Sequence, residues 1–218
     1  MLRKIRVLAI LWATGLALHA SGAWAQCSAR DALQNATIPK SSPVIAPSAV
    51  VRAGGDLRVW KTITLGEFAN SFALRNALDA ASCGIGDLAE EILARPAFTL
   101  AKDKTDIDLV VVSAVELGLA DQSTSLNDIY SRAEKLGLRL APAEVGPELR
   151  LLYLDQPIGE FLYVGMKPIA TWSGDPVIFI VANGGAGLIL IGQNGSADAK
   201  ISAHSPILFV RPRELSRK

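Results

Sequence analysis

Histidine is almost missing from this chain. Of two in 218 residues, His19 falls in the first 25, which leaves His204. Cysteine is as scarce, with Cys27 and Cys83 alone. So small a supply of nitrogen and sulfur ligands argues against a structural zinc site, which normally takes four such groups. With no Cys-x-x-C, a thioredoxin-like redox centre is excluded too. Basic and acidic residues nearly cancel, 22 against 21, so the positive excess that drives nucleic-acid binding is absent. There is no G-x-S-x-G elbow and no D-x-D-x-D-G calcium loop. His204 lies beside Ser202 and Ser205, but proximity along a chain defines no catalytic triad. Gly184-Gly185-Ala186-Gly187 is followed by the strand-like Leu188-Ile189-Leu190-Ile191, not by a helix, so it reads as turn glycines and not as a dinucleotide fingerprint. No cofactor and no metal are expected.

What is present begins with an export signal. Arg3, Lys4 and Arg6 precede an uncharged apolar run over residues 7–18, and Ala23-Trp24-Ala25 puts small residues where a signal peptidase reads them. Cleavage is expected before Gln26, giving a periplasmic or secreted product. The run is shorter than the ~20 residues of a spanning helix, and Gln26 before Cys27 does not suit a lipoprotein site. No membrane span is expected after cleavage. The leader holds three of the 22 basic residues and no acid, so the other 193 residues carry a net charge of −2. In an oxidising compartment Cys27 and Cys83 are expected to pair. That bond would close a long loop and add on the order of 3–4 kcal/mol by chain entropy.

Residues 26–56 read as an arm and linker, punctuated by Pro39, Pro43, Pro47, Gly54 and Gly55. Residues 57–213 read as a single domain, followed by a basic tail at 214–218. A first helix is expected from the capping-box spacing of Thr64 and Glu67 and the stripe Phe68, Phe72, Leu74, Ala77 and Leu78. A second covers residues 86–94, stopped by Pro96. Leu109-Val110-Val111-Val112 reads as a buried strand. Ser125 and Asp128 start a third helix with Ile129, Ala133 and Leu136 inward and Gly137 beyond its end. Residues 138–140 are then expected to return as a parallel strand, one β-α-β crossover. Residues 149–154 and 160–166 read as an antiparallel hairpin. Residues 177–182 and 188–191 read as another, around Asn183-Gly184, and residues 207–210 as a last strand. The fold class is α+β: N-terminal helices and one crossover, then a mostly antiparallel C-terminal sheet.

Several blocks in order also resemble a family of small, uncharacterised bacterial proteins. They are Trp60-Lys61-Thr62-Ile63, Arg95-Pro96-Ala97-Phe98-Thr99, Asp108-Leu109-Val110-Val111-Val112-Ser113, Pro142-Ala143-Glu144-Val145-Gly146-Pro147 and Asp155-Gln156-Pro157-Ile158-Gly159-Glu160. The resemblance spans roughly residues 60–213. It implies no activity and transfers no functional residue.

The candidate site is the acidic stretch Glu144, Glu148, Asp155 and Glu160, with Glu116 earlier. Two carboxyls in different surroundings can divide acid and base roles, and Pro142, Gly146 and Pro147 suggest a shaped loop around the first two. Glu116, Arg150, Gln156 and Trp172 are the candidate binding residues, and Trp172 is suited either to stacking on a sugar ring or to capping the core. The leading expectation is a non-catalytic binding or interaction module whose surface lies on residues 142–160, its partner an envelope protein or glycan. The alternative is a carboxylate-dependent hydrolase of cell-envelope carbohydrate. A third reading is an assembly subunit whose last strand is an uncovered sheet edge.

Overall fold

A computed structural model describes residues 57–119 and 121–213. The expected leader, arm and basic tail lie outside the described residues. The main sheet has eight strands, with β1 Lys61–Leu65, β3 Thr105–Val112, β10 Ile207–Arg211, β5 Phe161–Val164, β7 Pro176–Asn183, β8 Leu188–Asn194 and β2 Gly84–Ile85 side by side in that order. The two-residue β6, Ile169–Ala170, also pairs with β7. Every neighbouring pair is antiparallel except β10 with β5 and β8 with β2. A separate ribbon joins β4, Ser123–Ser125, to β9, Lys200–Ser202. With four helices among the described residues, the architecture is mixed α+β.

Burial explains why the middle strands read as unbroken apolar runs. Residues 177–182 of β7 and 207–209 of β10 are all buried. Since successive side chains point to opposite faces, both sides of the sheet are covered there. The helices α1 (Ser71–Ala80), α2 (Asp87–Leu93), α3 (Leu126–Lys135) and α4 (Val145–Leu152) do much of the covering. α4 packs on α1, β1, β7 and β8. Its backbone approaches β7 so closely at Gly146 that a Cβ there would lie 2.8 Å from the Phe179 ring. α3 brings Tyr130 edge-on to Phe209, with ring centroids 5.9 Å apart. The phenol also bonds both main-chain groups of Met166.

Local signals held for some elements and failed for others. Ser125 Oγ accepts the Asp128 amide at 3.1 Å and so caps α3. Gly137 past its end takes φ +85°, a left-handed conformation glycine adopts without strain. The β7–β8 hairpin forms around Asn183-Gly184. The first helix starts later than its apparent capping box. Thr64 lies in β1 and donates to Asp106 Oδ1 at 2.7 Å, and Glu67 pairs with Lys104 at 2.8 Å. Asn70 is the real cap, its Oδ1 accepting the Ala73 amide at 2.9 Å.

Residues 149–154 are not a strand, because α4 takes them as far as Leu152, and the hairpin expected with residues 160–166 does not form. β5 pairs with β7 and β10 instead. Residues 138–140 are no full strand either. Arg139 makes an isolated bridge to Val210, so β10 lies between that segment and β3. The last strand is interior rather than an open edge.

Candidate functional site

The N-cap and first turn of α4 carry the first two candidate acids, Glu144 and Glu148, a single turn apart. Glu144 is 1 % exposed. Its Oε1 accepts the Gly66 amide at 2.8 Å and its Oε2 the Ala101 amide at 2.7 Å. One carboxylate thus clasps the β1–α1 connection and the segment before β3. Glu148 is 3 % exposed, and its Oε1 has no hydrogen-bond partner. Burial pushes its carboxyl up to about 7, helped by the negative charges of Glu144 and Glu67 and opposed by a hydrogen bond from the Glu67 main chain. Next to this pair lies a cleft of about 820 Å³ between residues 66–71 and 98–102. Phe68, Phe98 and Leu100 give it an apolar lining, while Glu67, Asn70 and Lys102 supply polar groups. Neither Glu144 nor Glu148 lines it; they lie beneath its walls.

Arg150 leaves the same helix in another direction and is fully buried. Its guanidinium donates to Gln156 Oε1, to the Tyr153 carbonyl and, at 3.1 Å, to the Ala182 carbonyl. Burial lowers its pKa to about 10, against the opposing pull of Tyr153 and Glu160. Gln156 is buried too and donates to the Val181 carbonyl at 2.9 Å. Asn183 completes the seam: its side chain donates to the Gln156 carbonyl at 2.8 Å, and its carbonyl accepts the Gly159 amide at 2.7 Å. Burial, followed by a hydrogen bond to Glu160, raises the pKa of the Tyr153 phenol. The candidate stretch is therefore divided. Glu144 and Glu148 form one group, Arg150, Gln156 and Glu160 another, and Asp155 stands exposed on the connection.

That second group holds an apolar surface in place. Ile158 is 70 % exposed and Phe161 42 %, and Leu152 and Leu154 are exposed on the same segment. Ile158 and Phe161 sit beside the β7–β8 turn, since Cβ atoms at Gly185 and Gly184 would lie 3.7 and 3.9 Å from them. Trp60, also exposed, meets the Tyr153 ring edge-on at 5.0 Å, and Lys61 Nζ lies 5.5 Å from both rings. Sequence reasoning missed Trp60, Tyr153, Ile158 and Phe161 as surface residues. Ile158 did leave a signal, an isolated large aliphatic inside the turn-like Asp-Gln-Pro-Ile-Gly, where no core period calls for one.

The remaining candidates lie apart. Glu116 Oε2 accepts both the amide and the hydroxyl of Ser113, at 2.7 and 2.8 Å, which closes the turn after β3. Trp172 is 71 % exposed and has one face covered by the Arg95 guanidinium, 3.9 Å from the ring centroid. Its amide donates to Glu91 on α2. Cys83 is buried, its Sγ 4.0 Å from the Arg150 carbonyl oxygen; Cys27 lies outside the described residues. Among the described residues no cluster of three His, Cys, Asp or Glu is placed to hold a metal ion. Nor is any helix among them long and apolar enough to cross a membrane.

No family model, curated protein or solved structure matches the chain. The resemblance to uncharacterised bacterial proteins rests on its sequence blocks alone.

Proposed function

We propose that this protein is an exported, non-catalytic binding module that docks an apolar face of an envelope protein on residues 152–161 and the β7–β8 turn. The observation that carries the reading is Ile158, 70 % exposed on a segment that the Arg150, Gln156 and Asn183 bonds clamp to the sheet. An aliphatic side chain fixed in water by a buried polar scaffold is pre-organised for contact, so little ordering remains to oppose binding. Leu152, Leu154 and Phe161 extend the same apolar character. Such side chains suit a protein surface better than a glycan, which favours aromatic rings among polar groups. Trp172, with one face free of Arg95, is the feature that speaks for the glycan. Cleavage before Gln26 and pairing of Cys27 with Cys83 belong to the same reading.

The alternative, a carboxylate hydrolase, draws support from the raised pKa of Glu148. It lacks a partner for that acid, because both oxygens of Glu144 are already bonded to main-chain amides.

A photo-crosslinking amino acid placed at position 158, in cells exporting the full chain, tests the proposal. A discrete crosslinked protein is expected from position 158 and none from position 121, with the species lost when Phe161→Asp is added. No species from 158, or equal labelling from both positions, refutes it. Co-sedimentation with purified cell-wall polymer that Trp172→Ala abolishes would transfer the role to the glycan.

A further inference from the structure

Both walls of the cleft are tied to α4 by one side chain. The Gly66 amide donates to one oxygen of Glu144 at 2.8 Å and the Ala101 amide to the other at 2.7 Å. Glu148, one turn further along, is buried with an unpartnered oxygen. Its electrostatic surroundings are one-sided. The charged groups that act on it are Glu144 and, on the β1–α1 connection, Glu67. On the segment before β3, Lys104 pairs with Glu67 but extends into solvent, and Lys102, on the cleft's lining, and Asp103 are exposed. On α1, Arg75 is engaged with Glu90 and Asp79 is exposed. Lys61 on β1 lies over the Trp60 and Tyr153 rings. β7 and β8 carry no ionisable side chain, and Arg150 is turned toward Gln156, Tyr153 and Ala182.

We propose that Glu148 is a proton-operated latch on this cleft: protonated, it leaves the Glu144 clasp intact, and ionised, it drives residues 66 and 101 off that clasp. The physics is one of crowding. A second negative charge in a dry site, with only exposed lysines nearby, repels Glu144 and Glu67 and draws water in beneath the walls. Loosening the walls hydrates the group and returns it to ordinary carboxylate behaviour. The closed form, with its carboxyl at about 7, therefore holds a proton that the loosened form, near 4.5, has released. Opening becomes more favourable by about tenfold per pH unit between those two values and levels off above the higher one. The device is independent of the apolar surface around Ile158 and needs no partner to operate.

Amide hydrogen exchange on the full mature chain tests it, with rates corrected for intrinsic exchange. The reporters are Gly66 and Ala101, and Ile180 in β7 is the reference for global unfolding. Protection at the two reporters should fall by at least about tenfold from pH 5 to 7 and flatten by pH 8. It should lie well below that of Ile180 at every pH, since Ile180 falls in step through the same proton linkage but exchanges only on global unfolding. Glu148→Gln should hold the protection nearly constant across the range. Glu67→Gln, which removes one of the two repelling charges, should shrink the fall. A wild-type profile independent of pH, or the same fall in Glu148→Gln, overturns the proposal. Should Glu148→Gln not fold, an unaltered profile in Glu67→Gln overturns it equally.

Discussion

Replacing Glu144 with Gln removes the clasp while leaving the side-chain shape nearly unchanged. The carboxylate accepts two main-chain amides at 2.8 and 2.7 Å from a site 1 % exposed. Glutamine keeps one acceptor oxygen and turns its NH₂ toward the other amide, so a donor faces a donor. Leaving a buried amide unsatisfied costs about 1–3 kcal/mol. The surviving bond also loses its ionic character, which roughly halves its strength and costs about 1 kcal/mol more. Part of this is offset, because the charge beside Glu148 disappears and Glu148 ionises more readily. The expected net loss is about 2–3 kcal/mol at pH 6, where Glu148 keeps its proton and the clasp is closed. Urea denaturation followed by far-UV circular dichroism measures it. With an m-value of about 2 kcal/mol/M the midpoint should drop by roughly 1 M. A loss under about 0.5 kcal/mol would refute the assignment of Glu144 as the tie between the two segments. An equal loss from Glu116→Gln, whose acceptor role is confined to its own turn, would show that the non-local bonds confer nothing special.

Two further outcomes follow from the buried charges. Arg150→Met strands the Tyr153 and Ala182 carbonyls and the Gln156 side chain, and should cost about 3 kcal/mol or more. Thermal denaturation checks this, and a melting temperature within a degree of wild type would contradict the anchor role. For Glu148 the folded pKa lies above the ordinary value. The folded chain therefore keeps a proton that the unfolded chain loses, and stability falls as pH rises from about 4.5 to 7 and is flat above. The slope approaches ~1.4 kcal/mol per pH unit, a total on the order of 3 kcal/mol. Chemical denaturation of wild type and Glu148→Gln at pH 5, 6, 7 and 8 isolates this limb, and parallel profiles would rule it out.

The sequence disclosed those parts of the fold whose causes are local. The α3 cap needs only Ser125 and Asp128, three residues apart, and the β7–β8 turn needs Asn183 and the glycines that follow. α4 was hidden because residues 145–152 contain Gly146 and Pro147, both poor helix formers. Pro147 is tolerated in the first turn, where its missing amide proton has no intrahelical partner. Gly146 is accounted for only by Phe179, which no local pattern can reveal. β1 was hidden for a similar reason: Thr64 serves Asp106, a residue 42 positions away, and not a neighbouring helix. The candidate site shows the same boundary. The carboxylates of residues 144–160 were legible as chemistry, but their burial was not, since acids and arginines are ordinarily surface residues. It took Gly66, Ala101 and Ala182, all distant in the chain, to turn Glu144, Glu148 and Arg150 into internal groups.

The interior position of β10 has a consequence for how this protein comes to be folded. β1 and β3 can pair as soon as residue 112 exists, and β5, β7 and β8 as soon as residue 194 does. These two ribbons share no strand, and β10 is the seam that joins them, through β3 on one side and β5 on the other. The contact between Val110 and Phe209 must close a loop of about 100 residues, which makes it a late and slow event. Until residues 207–211 dock, each ribbon presents an open edge to whatever strand arrives first. Losing those five residues would leave two sticky half-sheets in place of a slightly smaller domain, and a chain held unfolded until they emerge escapes that hazard.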